Sequence, residues 1–164
     1  MMYYSASMNT LDESLMNAVK EGKLLESSRT NIRLLLDGTE SPIAREAVEE
    51  LAAAGEWQEL NDRFYKTLAF GTGGLRGRTI GSIVTRAEQG NGGVNGRPEY
   101  PCVGTACMNY FNVGRAMRGL IIYVNKHVEA TDPGRKPRLV IGHDTRHFSR
   151  DFAEFCAKIG TDLG

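Results

Sequence analysis

Arg138-Leu139-Val140-Ile141-Gly142-His143-Asp144-Thr145-Arg146-His147-Phe148-Ser149 is the stretch on which the fold reading turns. Its first five residues predict a buried strand, because three apolar side chains stand in a row instead of alternating with polar ones. Ser149 then starts a helix, with Asp151 suited to its positive end and Phe152, Phe155, Cys156 and Ile159 on one face. A long helical pattern from about Thr105 to His127 comes before the strand. Helix, strand, turn, helix is half of a βαβ arrangement, so the expected class is α/β. The strand to which the last helix should return is missing from the 164 residues. In open α/β sheets ligands bind at the carboxyl end of a strand, which makes Asp144 and Arg146 candidates for a site. The same residues also suit a plainer role, capping the helix and tying the turn in place. His143 and His147 are four apart across a turn with no third ligand nearby, a poor metal pattern.

Outward from that stretch, the 105–127 helix carries Tyr110, Val113, Met117, Leu120 and Val124 along one face. Gly114 and Gly119 inside it predict close approach of another element, since a helical glycine otherwise costs about 1 kcal/mol. Thr79 to Thr85, with Ile80, Ile83 and Val84, reads as a further strand or part of one. Between them, residues Ala87 to Val103 form a polar, glycine-rich segment with two Asn-Gly turn formers. It reads as a hairpin tip or disordered loop, and no chemistry is assigned to it.

The amino-terminal third reads as helical. After a frayed leader of ten residues, Leu11 to Glu21 forms a helix closed by Gly22. A short patch follows at Asn31 to Leu36, and Ser41-Pro42 opens a third helix that runs to Ala53 and stops at Gly55. Leu60, Phe64, Tyr65 and Leu68 recur at helical spacing, and Trp57 packs one of these helices down.

The sequence Phe70-Gly71-Thr72-Gly73-Gly74-Leu75-Arg76-Gly77 ends that last helix in four glycines with one hydroxyl and one guanidinium among them. Glycine permits positive φ, and successive backbone N–H groups in such turns make an anion-binding concavity. Arg76 adds a planar, permanently charged fork suited to phosphate oxygens. The loop therefore reads as a phosphate site built on Thr72, Gly73, Gly74 and Arg76, or else as a tight turn with Arg76 solvated. It lacks the Gly-Lys-Ser/Thr ending of a nucleotide P-loop, and Arg76 stands where the dinucleotide pattern needs its third glycine.

Composition narrows the field. Hydrophobic residues make up 41% and charged ones 24%, ordinary for a globular domain, and 20 basic residues balance 20 acidic ones. That balance gives no reason to expect nucleic acid or an anionic membrane as partner. The first ten residues do not read as a secretory signal, and the longest apolar runs fall far short of a membrane span. Three cysteines, Cys102, Cys107 and Cys156, form neither an even framework nor a zinc spacing. Reduced thiols and a cytoplasmic location are the expectation.

Taken together, Phe64 to Gly77, Gly104-Thr105-Ala106-Cys107-Met108-Asn109, and Val140 to Ser149 resemble the α-D-phosphohexomutase superfamily, nearest its phosphoglucomutase and phosphopentomutase branch. The likeness covers about residues 57 to 164, with 87–103 as an insertion. It implies a three-layer α/β/α fold with a mixed sheet, the truncated first domain of a four-domain mutase, preceded by a helical extension over 1–56. The family interconverts sugar phosphates such as glucose 1-phosphate and glucose 6-phosphate through a phosphoserine, Mg²⁺ and a bisphosphate intermediate, glucose 1,6-bisphosphate. By the resemblance Thr72 and Arg76 hold phosphate beside that serine, and Asp144 and Arg146 support the floor of the site. The serine motif Thr-Ala-Ser-His-Asn-Pro, the Asp-Gly-Asp-x-Asp-Arg metal loop and the Gly-Glu-x-Ser-Gly sugar loop are not among these residues. The Mg²⁺ ligands and the nucleophile are thus expected on further domains of the same chain, the fragment alone is expected to be inactive, and no catalytic residue is assigned here. Phosphomannomutase or phosphopentomutase activity, and a non-catalytic phosphate-binding module, are the alternatives.

Overall fold

The computed structural model describes residues 2–163, with side chains from residue 10 onward. The element order is α1 (Met2–Lys20), α2 (Glu26–Asp37), α3 (Pro42–Ala53), α4 (Trp57–Phe64), α5 (Arg86–Gln89), a 3₁₀ turn (Val94–Gly96), α6 (Tyr110–Thr131) and α7 (Ser149–Asp162). Among the described residues there is no strand, and the one β-type pairing is an isolated bridge between Gly71 and Gly74. The expected α/β class, with its three layers and mixed sheet, is therefore corrected: the architecture is helical. The chain divides into two compact units, one ending at Met108 and the other starting at Asn109.

In the first unit α1 to α4 pack on one another. Their apolar faces follow helical spacing: Leu11, Leu15 and Ala18 on α1, Ile32 and Leu35 on α2, Val48 and Leu51 on α3, Leu60 and Phe64 on α4 are all buried. The ten residues expected as a frayed leader belong to α1 from Met2 onward. Gly22 ends that helix at φ +71°, a left-handed conformation that favours glycine. Side-chain amides then fix the connections. Asn61 accepts from the Leu25 N–H at 2.8 Å and donates to the Lys23 carbonyl at 2.9 Å, while Asn31 donates to the Phe64 carbonyl at 2.7 Å. The helices of the expected extension over 1–56 lie in one compact unit with α4. Trp57, expected to pin a helix, opens α4 half-buried.

The second unit is built on α6 against α7. Met117, Ile121 and Ile159 form its core, with Phe155 and Cys156 packed on them. Tyr110 meets the rings of Phe152 and Phe155 edge-on, with centroids 5.4 and 5.1 Å away. Gly114 lies against Phe155: a Cβ there would sit 3.2 Å from the ring, so the expected close approach is real. Gly119 does not share it, since nothing stands within 4 Å of its missing Cβ. The helix itself starts later than expected, at Tyr110, with the Asn109 side chain accepting from the Asn112 N–H at 3.1 Å.

Residues 138–142 form no strand, and no backbone hydrogen bond joins them to another segment among the described residues. Leu139 and Ile141 flank a cleft with Met117, Ile121 and Val124, whereas Val140 is fully exposed. A strand is defined by its neighbour's hydrogen bonds, so an apolar run alone does not make one. The second expected strand, 79–85, is likewise irregular.

Candidate phosphate-binding turn

The turn begins a few residues after α4 stops. Gly71 and Gly74 exchange backbone hydrogen bonds of 3.2 and 3.1 Å, closing a four-residue reversal over Thr72 and Gly73. Gly73 and Gly74 sit at φ +86° and +127°, conformations that side-chain-bearing residues rarely adopt. Thr72, Gly73 and Arg76 are exposed. Arg76 Nη2 donates to the Thr72 carbonyl at 3.2 Å, folding the guanidinium back over the turn, and no carboxylate pairs with it among the described residues. The N–H groups of Thr72, Gly73, Leu75, Arg76 and Gly77 have no protein acceptor among the described residues. A cluster of exposed donors beside a cation with no carboxylate of its own is a cradle for an anion.

What holds the turn up is the segment 102–108, which hydrogen-bonds both of its arms. On the entry side Ala106 N–H donates to the Arg63 carbonyl at 2.9 Å, Leu68 N–H to the Thr105 carbonyl at 2.7 Å, and the Thr105 hydroxyl to the Lys66 carbonyl at 2.8 Å. On the exit side Cys102 N–H donates to the Thr79 carbonyl at 2.8 Å, and Met108 N–H to the Arg78 carbonyl at 2.9 Å. The approach is so close that a Cβ on Gly104 would lie 2.6 Å from the Arg63 carbonyl oxygen. Residues 105–108, expected as the start of a helix, therefore form a non-helical clamp; backbone donors of Ala106 and Met108 are spent on the turn's arms.

Beneath the clamp lies a buried ionic network. Arg63, completely buried, donates from Nε to Glu59 at 2.7 Å and from Nη1 to Glu88 at 2.6 Å, and also to the carbonyls of Val103 and Ile83. Burial disfavours this guanidinium's charge, but the carboxylates of Glu88 and Glu59 outweigh it and raise its pKa. Glu88 in turn accepts from the Val103 N–H at 2.7 Å and from the backbone and hydroxyl of Thr85, each at 3.0 Å. Glu59 also takes Arg78 at 3.3 Å. Every charge of the network is thus paired and hydrogen-bonded, the condition under which buried ions are tolerated. The segment 87–103, expected to be a loop without chemistry, holds this keystone. Its signal was present in the sequence: Thr85-Arg86-Ala87-Glu88 is a capping box, and it opens α5 as such. Glu59 and Arg63 also stand at the i,i+4 spacing of a helical ion pair.

Asp144 and Arg146 belong to the second unit. Arg146 donates from Nε to Asp144 at 2.7 Å and from its backbone to the same carboxylate at 3.0 Å, and the Asp144 N–H donates to the Ser149 hydroxyl at 3.0 Å. The Arg146 backbone N–H, with Ser149 assisting, holds the Asp144 carboxyl below its ordinary pKa. Ser149, expected as the cap of α7, is its first residue; the cap position is Phe148, buried and at φ +64°. This turn ties itself together. No group of three His, Cys, Asp or Glu side chains gathers to hold a metal ion among the described residues. No helix among them is long and apolar enough to cross a membrane.

Compared with family models, with curated proteins and with solved structures, the chain has no match.

Proposed function

We propose that residues 71–77 bind a phosphoryl group, and that the chain contributes this element to a phosphohexomutase-type enzyme interconverting glucose 1-phosphate and glucose 6-phosphate. The observation that carries the binding half is the exposed glycine turn, with several unsatisfied N–H donors and an Arg76 that has no acidic partner among the described residues. The mutase half rests on the sequence resemblance. In that reading Thr72, Gly73, Gly74 and Arg76 stabilise charge on the transferring group. The phosphoserine, the Mg²⁺ ligands and the sugar-reading loops lie on the remaining domains, the location is cytoplasmic, and the 164 residues alone are inactive. The Asp144–Arg146 turn holds the start of α7. Phosphomannomutase and phosphopentomutase activities share the same phosphate chemistry.

A second reading, a non-catalytic phosphate-binding module, is favoured by the helical architecture, which among the described residues lacks the sheet that the resemblance implies. Backbone amide NMR tests the shared premise. Titrating the chain with inorganic phosphate and with glucose 1-phosphate should shift the Thr72, Gly73, Leu75, Arg76 and Gly77 amides. Silence across 72–77 with both ligands removes the site. The two readings separate on the longer coding sequence: a downstream Thr-Ala-Ser-His-Asn-Pro motif favours the mutase, and the intact protein with all its domains should then convert glucose 1-phosphate in the presence of Mg²⁺.

A further inference from the structure

Cys102 and Cys107 sit near the two ends of the clamp, one hydrogen-bonded through its backbone to the exit arm of the turn and the other two residues beyond Thr105, which grips the entry arm. Both are buried, at 2% and 0% exposure, and both are thiols. Their Sγ atoms are 3.1 Å apart. A disulfide needs about 2.05 Å, so a closure of roughly 1 Å separates contact from bond. Val103-Gly104-Thr105-Ala106 lies between them. Nothing in the phosphate reading uses the pair.

We propose that Cys102 and Cys107 are a redox modification site, at which hydrogen peroxide forms a disulfide that a dithiol reductant reverses. Cys107 attacks. Its contact with Cys102 favours its thiolate, and the cations of Arg63 and Arg78 add to this against the cost of burial. Cys102 is driven the other way, held as the thiol by the same contact and by burial. The Cys107 thiolate takes one peroxide oxygen, the O–O bond breaks, and the other oxygen leaves as hydroxide, giving a sulfenic acid. Cys102 sulfur then attacks the Cys107 sulfur and expels the second hydroxide. The two hydroxides leave as water with the two thiol protons, so two thiols and one peroxide become one disulfide and two waters. Peroxide is scarcely larger than water, which suits a pair this buried. The site stands on the geometry of the first unit and does not depend on the phosphate reading.

The wild-type chain tests it without a variant that must fold. After peroxide treatment, quenching and alkylation in denaturant, titratable thiols should fall from the three of the sequence to one. Arg97 precedes Pro98, so trypsin leaves both cysteines on the peptide 87–115, while Cys156 falls on 151–158. The first peptide should lose the mass of two hydrogens and regain it with dithiothreitol, while Cys156 stays alkylated. Bridging should be at least tenfold slower in the guanidinium-unfolded chain. Three thiols surviving the treatment, added oxygen on peptide 87–115 without loss of two hydrogens, or equal rates in folded and unfolded chain would each overturn the proposal.

Discussion

The two turns that carry arginines are made of similar parts and behave differently. At 71–77 the guanidinium of Arg76 donates to the Thr72 carbonyl and has no carboxylate partner among the described residues, where the N–H groups around it likewise find no protein acceptor. At 144–149 the guanidinium of Arg146 is held by Asp144 at 2.7 Å, and the Asp144 N–H is taken by Ser149. An anion arriving at the first meets ready donors, whereas at the second it must displace a carboxylate. The first turn is also seated on a buried network, while the second rests on its own exposed hydrogen bonds. Charge and glycine content alone do not distinguish a turn with open donors from one whose donors are already taken; the partners already present do.

The sharpest way to break the comparison is to remove the seat. Glu88→Ala leaves the buried Arg63 short of its bidentate partner and strands two backbone donors. Stability should fall by about 3–5 kcal/mol, read as the urea midpoint at constant slope. A loss below about 1 kcal/mol would mean the network does not hold the turn. Gly104→Ala comes next. Its methyl would press on the Arg63 carbonyl at 2.6 Å, and overpacking of this kind costs about 1–3 kcal/mol. A neutral result would show that the clamp yields.

Paired substitutions then test the turns themselves. Arg76→Ala should weaken phosphate binding by about tenfold or more, because hydrogen bonds to charged groups are among the stronger ones. Arg146→Ala should leave that binding unchanged; equal losses in calorimetry would erase the distinction. The smallest effects belong to the second unit. Asp144 has a lowered folded-state pKa, so its contribution to stability is present above the ordinary carboxylate range and fades as pH falls through the lowered value. Wild type and Asp144→Asn should therefore converge in stability at acid pH; a gap that widens there would reverse the sign. Val140→Asp should change stability by less than about 0.5 kcal/mol, since that side chain is fully exposed.

Much of the helical skeleton was legible from residues alone. Leu11, Leu15 and Ala18, or Val48 and Leu51, lie on faces that local periodicity reveals, and Gly22, Gly55 and Ser41-Pro42 mark ends through backbone conformations that few residues share. The glycine turn was legible for the same reason, since positive φ at Gly73 and Gly74 is a local demand. The lack of a sheet was not legible: Leu139-Val140-Ile141 has strand composition, but pairing is a property of two segments and no second one is present among the described residues. Equally hidden was the role of 87–108. Glu88 meets Arg63 across 25 positions and Val103 across 15, and no window of sequence weighs such contacts.

By itself, then, the sequence marked several helix ends, at Gly22, Ser41-Pro42 and Gly55, and the glycine reversal at 71–74, because those depend on each residue's own torsions and on neighbours a turn away. Only the tertiary structure decided that Arg63, Glu59 and Glu88 neutralise one another in the interior, that 102–108 clamps the turn, and that Arg76 is left exposed without a carboxylate among the described residues while Arg146 is paired. Those outcomes depend on which distant groups share a desolvated space, and the energy of a charge is set by that company.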